Sequence, residues 1–327
     1  MGRRVLRQLA WDPEVTRLVA IDRDPLTARN GIEVFQLDLL EADLAAAFAG
    51  LDTVVHLAEE SRRPEDGDVA ERILRRVLGA ASDGGCHHLV VLSSATVYGA
   101  RADNPVPLIE TQAVRPNPDL AFAVTKQRVE RLTEQWVSAD ALRSAAVLRP
   151  TVTLSEGGAS WVAKSLRAAA TVRPDRVDPP VQFLHHDDLA SAVSMVARQR
   201  LDGVFNVAPD GWIGPEAFRE LSGGLQVRVP IAVSDRLLRA GRRFGVGSTP
   251  PGIEPYVRHS WVVANDRLRL AGWTPVFSNE EAYVLGTPPP PWSVSAQRRQ
   301  ELALGAASIG VAGVAAAAAA VTRRWSR

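Results

Sequence analysis

The stretch MGRRVLRQLAWDPEVTRLVAIDRDP, residues 1–25, decides how the rest of the chain is read. Val5, Leu6 and Leu9 fall on one side of a helix. RLVAID (17–22) is a short apolar run closed by an acid, the pattern of a parallel strand buried on both faces. A helix that feeds such a strand is the second half of a β-α-β unit. The first half, a strand and the turn leading into the helix, does not stand in this stretch.

Outward from these residues the same alternation continues. IEVFQLD (32–38) reads as a second strand and DLAAAFAG (43–50) as a helix stopped by Gly50. DTVVHLA (52–58) is a third strand, DVAERILRRVLGAASDGG (68–85) an amphipathic helix with a glycine stop, and HHLVVLSS (87–94) a fourth strand. A helix from about 122 to 135 precedes SAAVLRP (144–150), the fifth. Strand alternating with helix predicts an α/β fold with a doubly wound parallel sheet. Ligands of such sheets bind beyond the carboxyl ends of the strands, here at Asp22, Asp38, Ala58, Ser94 and Pro150.

After Pro150 the alternation weakens. FLHHDDLASAVSMVARQ (183–199) reads as a turn feeding a helix, GVFNVAPDG (203–211) as a late strand, and 231–244 as a basic amphipathic helix before GWTPVFSNEEAYV (272–284). The expected organisation is a sheet domain over 1–150, a smaller lobe over 151–285, a proline-rich linker over 286–300 and an apolar helix over 301–327.

Lys plus Arg (38) balance Asp plus Glu (37), which removes any global electrostatic case for nucleic acid. The single cysteine, Cys86, excludes an internal disulfide framework and a thiolate zinc cage, and fits a cytoplasmic protein. Arg3 and Arg4 lead into an amphipathic pattern, unlike a signal peptide. LALGAASIGVAGVAAAAAAV (302–321) carries no charge over a helical length of about 30 Å, enough to cross a bilayer. Arginines flank it on both sides, so charge cannot orient it. Two readings stay open for it: a tail anchoring the protein to a membrane, and an Ala-rich helix packed on another protein surface.

LSSATVYG (92–99), FAVTKQRVE (122–130) and LRP (148–150), together with VVHLA (54–58) and GWTP (272–275), form an ordered set. The set resembles the extended short-chain dehydrogenase/reductase family, the NAD-dependent epimerases and dehydratases of sugar nucleotides, over roughly residues 2–285. The resemblance implies a Rossmann-like domain whose first strand and G-x-x-G-x-x-G turn precede the first helix. MGRRVL matches the end of that motif, with Gly2 as its third glycine. The first strand is missing from the given chain, and its expected place is between the strands ending at Asp22 and Ala58. The expectation is therefore a late start. Backbone N–H groups of that turn would hold the cofactor's pyrophosphate.

The resemblance further implies that Asp22 binds the adenosine ribose and favours NAD over NADP, a preference that Arg23 beside it blurs. Asp38 and Leu39 match the adenine-contacting pair. Leu57 and Ala58 match the segment under the cofactor, and Pro150 closes the strand beside it. Ser94 matches the catalytic Ser/Thr. Lys126 matches the lysine that binds the nicotinamide ribose and lowers the pKa of a tyrosine four residues earlier, one helical turn away. That position holds Phe122. General acid–base help of this kind contributes roughly 10²- to 10⁴-fold, so a stand-in is needed, and Tyr98 in VYG is the candidate. The family's asparagine that supports the lysine falls at Ala70 in an ungapped reading.

Two functions follow from the resemblance. One is an NAD-dependent epimerase, dehydratase or reductase acting on a nucleotide sugar or similar polyol. The other is a catalytically silent NAD-binding sensor or scaffold, tethered to a membrane by its tail. Family members often pair as homodimers through helices flanking the site, which nothing in this sequence establishes. HHDD (185–188) has metal-ligand residue types, but adjacent residues rarely converge on one ion, and the run resembles the family's lobe-docking V-H-V-D-D turn. His87 and His88 read as a solvated strand start, and Arg149 as structural. Arg236, Arg239, Arg242 and Arg243 read as a solvated helix face, with a nucleotide phosphate or an anionic membrane as the alternatives.

Overall fold

In the computed structural model the strands are Leu18–Asp22 (β1), Ile32–Gln36 (β2), Thr53–His56 (β3), His88–Leu92 (β4) and Ser144–Pro150 (β5). Between them lie the helices Gly2–Leu9 (α1), Ala45–Phe48 (α2), Gly67–Asp83 (α3) and Ala121–Ser138 (α4). The second half adds strands Val152–Ser155 (β6), Phe183–His185 (β7) and Gly203–Val207 (β8), with helices Trp161–Ala170 (α5), His186–Gln199 (α6) and Asn279–Gly286 (α7). The structure describes residues 1–27, 31–58, 67–156, 158–170, 172–174, 178–222, 227–230, 233, 236 and 249–287. The proline-rich linker beyond Thr287, the apolar 302–321 segment, and all of the basic 231–244 run except Val233 and Arg236 lie outside the described residues. Among the described residues no helix is long and apolar enough to cross a membrane.

Four parallel strands form the main sheet in the order β8-β5-β4-β3. Side chains alternate across it as the period of a strand requires. Val90 points to the face covered by α1 and α6, where it joins Val5, Leu9, Leu189 and Val193. Leu89 and Val91 point to the opposite face and pack with Leu74 and Val77 of α3 and Leu132 and Trp136 of α4. Burial on both faces explains why β4 is apolar almost throughout.

The sheet is not continuous. β1 pairs in parallel with β2 as a separate two-stranded piece, and among the described residues no strand pairs β1 with β3. The interruption falls between β1 and β3. Both cores run across it. Val15 and Leu18 pack in the same cluster as Val55 and Leu57, and on the other face Ile21 and Phe35 share a cluster with Val54.

The smaller lobe is built on β6, which pairs in parallel with β7 and antiparallel with Gly158–Ala159. HHDD, where β7 runs into α6, ties several elements together. Asp188 accepts hydrogen bonds from the amides of Val276 (2.9 Å) and Phe277 (3.0 Å), and Asp187 pairs with Arg4 of α1. His186 Nδ1 bonds the Ser155 hydroxyl at 2.8 Å, and His185 lies against Phe277. Downstream, α7 starts with a capping box in which Ser278 and Glu281 satisfy each other's backbone amides. The expectation of a solvated strand start holds for His87, which is exposed, and fails for His88, which is 2% exposed and bonds Ser144 at 2.9 Å. β4 is an inner strand, and its first residue is already covered on both sides.

Candidate active site

The carboxyl end of β4 carries the central feature. The chain leaves the strand at Leu92 and turns through Ala95–Tyr98 in one 3-10 turn capped by Ser94. The Ser94 hydroxyl accepts from the Thr96 amide (3.2 Å) and the Thr96 hydroxyl (3.0 Å). Gly99 closes the turn at φ 73°, and a Cβ there would come within 2.2 Å of the Arg115 carbonyl oxygen. Only glycine fits that close approach. Lys126, on α4, reaches across and donates from Nζ to the Leu92 carbonyl at 3.0 Å. Lys126 thus holds the carboxyl end of β4 two residues before Ser94.

A small cleft opens beside Lys126, lined by His56, Leu57, Ala58, Leu92 and Thr125 together with Ala70 and Val129. Ala70 and Lys126 thus line the same cleft. Sequence reading missed His56, the residue ahead of Leu57. Burial, with the nearby Lys126 ammonium adding to it, pushes this imidazole down to about 4, so it is neutral at physiological pH.

Phe122 stands one turn before Lys126 on α4. Its ring is buried against Trp161 of α5, centroid to centroid 5.4 Å, and Lys126 Nζ lies 5.5 Å from the ring. Tyr98 is placed elsewhere than its reading as a stand-in requires. It is 1% exposed, its hydroxyl donates to Asn206 Oδ1 (2.8 Å) and accepts from Arg149 Nη1 (2.8 Å), and the Arg149 guanidinium stacks on its ring. Burial raises its pKa further above the usual phenol value. A hydroxyl held in the core by two partners does not face a substrate.

Arg149 in turn donates to Glu130 through Nε (2.9 Å) and Nη2 (2.6 Å), and the Ser93 hydroxyl donates to the same carboxylate. The amide of Asn206 donates to Glu110 at 2.9 Å. Arg149 is structural, as expected; its acidic partner was not read from sequence.

Gly2 begins α1, with open space where a Cβ would stand. Asp22 ends β1 exposed, with one carboxylate oxygen accepting from the Asp24 amide at 3.0 Å, and Arg23 is exposed beside it. Asp38 follows β2 and accepts from the Leu40 amide at 2.8 Å, ordering the turn that holds Leu39. Pro150 is buried at the end of β5. These residues sit on the two-stranded piece, at the start of α1 and on the main sheet, and all but Gly2 mark carboxyl ends of strands, the edge where an open α/β sheet takes its ligands.

Four parallel strands with helices packed on both faces define a doubly wound α/β class of fold. The model of the NAD dependent epimerase/dehydratase family matches residues 1–208, and the chain belongs to that family. A curated relative, the N-acetyl-alpha-D-glucosaminyl-diphospho-ditrans,octacis-undecaprenol 4-epimerase of Escherichia coli O157:H7, is 32% identical over 119 residues, 35% of this chain. The chain spans about a third of that relative's length, 34%. Among solved structures, the UDP-glucose 4-epimerase of Thermotoga maritima with UDP-glucose aligns at TM-score 0.63 and 17% identity, covering 87% of this chain and 93% of that one. The UDP-glucose 4-epimerase of Thermus thermophilus with NAD aligns at 0.62 and 16%, covering 87% and 94%. MoeE5 with UDP-glucuronic acid and NAD aligns at 0.61 and 22%, covering 87% and 93%. At these identities the structures establish the shared fold.

Proposed function

We propose that this protein is an NAD-dependent oxidoreductase of the epimerase/dehydratase type, acting on a sugar carried by a diphosphate, with an active site that lacks the usual tyrosine. The observation that carries this reading is the convergence of Ser94 and Lys126 on the end of β4. The substrate class draws on the relatives, several of which are described with UDP-sugars and one as acting on a polyprenyl-diphosphate sugar. The residues present fit NAD: Ala58 is small and lines the cleft beside Lys126, and the Asp22 carboxylate is exposed at the end of β1. Asp22 and Asp38 would hold the adenosine half, and Leu57, Lys126 and Pro150 the nicotinamide half. When bound, NAD supplies a hydride acceptor.

Ser94 would hydrogen-bond the substrate oxygen that changes between alcohol and carbonyl. Its hydroxyl already accepts two bonds, which leaves its own proton to donate. Lys126 contributes a fixed positive charge beside that oxygen. Neither Phe122 nor Tyr98 exchanges the proton, Phe122 for lack of an acid and Tyr98 because its hydroxyl is engaged.

That same pair of observations favours a second reading, a dinucleotide-binding sensor without turnover. Calorimetric titration with NAD and NADH, followed by absorbance assays over a panel of UDP- and dTDP-sugars, separates the two. Binding with turnover supports the oxidoreductase. Binding without turnover, gained on Phe122→Tyr, supports the silenced site. No binding of either dinucleotide overturns both.

A further inference from the structure

Glu130 lies one helical turn beyond Lys126 on α4, and its side chain is 13% exposed. Its carboxylate accepts three hydrogen bonds from two elements: Ser93 Oγ at the end of β4, and Nε and Nη2 of Arg149 at the end of β5. A buried ion pair contributes little net stability, and apolar residues of similar volume often do as well. What the pair supplies is direction. Three consecutive residues at the end of β4 are each gripped by a different group: Leu92 by Lys126 Nζ, Ser93 by Glu130, and Ser94 by Thr96. The Ser93 amide is also fixed, donating to the Leu148 carbonyl at 2.7 Å. Through Arg149 and its bond to the Tyr98 hydroxyl, the same carboxylate reaches the far end of the 3-10 turn.

We infer that Glu130 is a positioning residue of this site, setting the orientation of Ser94 through Ser93 and its separation from Lys126 through α4. The inference rests on the reading of Ser94 and Lys126 as the working pair. It requires that the Ser93–Glu130 bond matter to the turn more than to the fold as a whole.

The test uses the full chain and three variants. Ser93→Ala breaks the link while leaving the Glu130–Arg149 pair intact, Ser93→Thr restores a hydroxyl, and Glu130→Gln weakens the joint itself. The first readout is hydrogen exchange at the Thr96 amide, which donates to Ser94. The second is the emission of bound NADH. Ser93→Ala is expected to speed Thr96 exchange at least tenfold, leave the amides of α6 unchanged and shift the NADH emission. Ser93→Thr should return both to the parent values, and Glu130→Gln should move both in the direction of Ser93→Ala. Parent-like Thr96 exchange in Ser93→Ala overturns the inference. So does faster exchange shared by α6, because that is general loosening. If the parent binds no NADH, the functional reading fails by itself, and the exchange measurement alone decides the positioning role.

Discussion

Replacing Tyr98 by Phe removes one oxygen from the centre of the buried network and leaves the ring in place. The stacked Arg149 guanidinium, 4.7 Å from that ring, keeps its contact. Two hydrogen bonds disappear, and their partners stay buried: one N–H of a charged Arg149 and the carbonyl of Asn206. A bond to a charged group is worth about 1.5–3 kcal/mol and an abandoned neutral acceptor about 1–3 kcal/mol. Arg149 retains both bonds to Glu130 and Asn206 retains its own to the Leu108 carbonyl, so partial relaxation brings the sum to about 3 kcal/mol. At an unfolding entropy of about 2.1 cal/mol/K per residue, a loss of that size lowers the melting temperature of this chain by about 4–5 °C. Urea unfolding followed by tryptophan fluorescence measures the first quantity and calorimetry the second. Dinucleotide affinity of the folded variant should stay within about twofold of the parent. A Tyr98→Phe protein as stable as the parent but without its catalytic turnover would refute this placement of Tyr98 and restore it as an acid.

Three histidines make stability fall on acidification. His56 and His186 are pushed down to about 4, chiefly by burial, and burial also lowers His88. Their depressed values favour the neutral form in the fold, so the unfolded chain takes up more protons below about 6.5. Their contribution is complete above that value and is lost progressively between about 6.5 and 4. Melting temperatures measured from pH 8 to 4.5 should decline below 6.5, and His186→Asn should flatten the slope; an unchanged slope in that variant would exclude His186 as a contributor. Asp188→Ala strands the amides of Val276 and Phe277, at about 1–3 kcal/mol each before relaxation. Limited proteolysis should then cut first between Trp273 and Ser278, and a parent-like digest would count against the tying role of HHDD. Gly99→Ala forces a Cβ against the Arg115 carbonyl at positive φ. Soluble yield should collapse, and normal yield with parent-like melting would contradict the described turn.

The strands β1 to β5 were legible because each is a short, largely apolar run, and a sheet covered on both faces demands that pattern, whereas β6 and β7, only three or four residues long, were not read as strands. Ser94 and Lys126 were legible because their elements meet at one strand end whatever the intervening loop does. Tyr98 was misplaced for an opposite reason. In a turn beside Gly99 it looks accessible, and what buries it is Asn206, 108 positions further on. Glu130 was invisible in the same way, since a carboxylate on a helix reads as a solvated face until Arg149 is known to reach it. His88 looked wet beside His87, and only the pairing of β4 between β3 and β5 shows that it is inside.

The split between β1–β2 and the four-stranded sheet divides the proposed cofactor site between two bodies that no ladder of backbone bonds joins among the described residues. Asp22 and Asp38 ride on one body, and Ser94 and Lys126 on the other. A dinucleotide held at both ends would then act as a strut, resisting any sliding of one body against the other. Its grip stabilises the assembled form in proportion to the logarithm of its concentration over its Kd. The cofactor would thus be part of the load path of the fold.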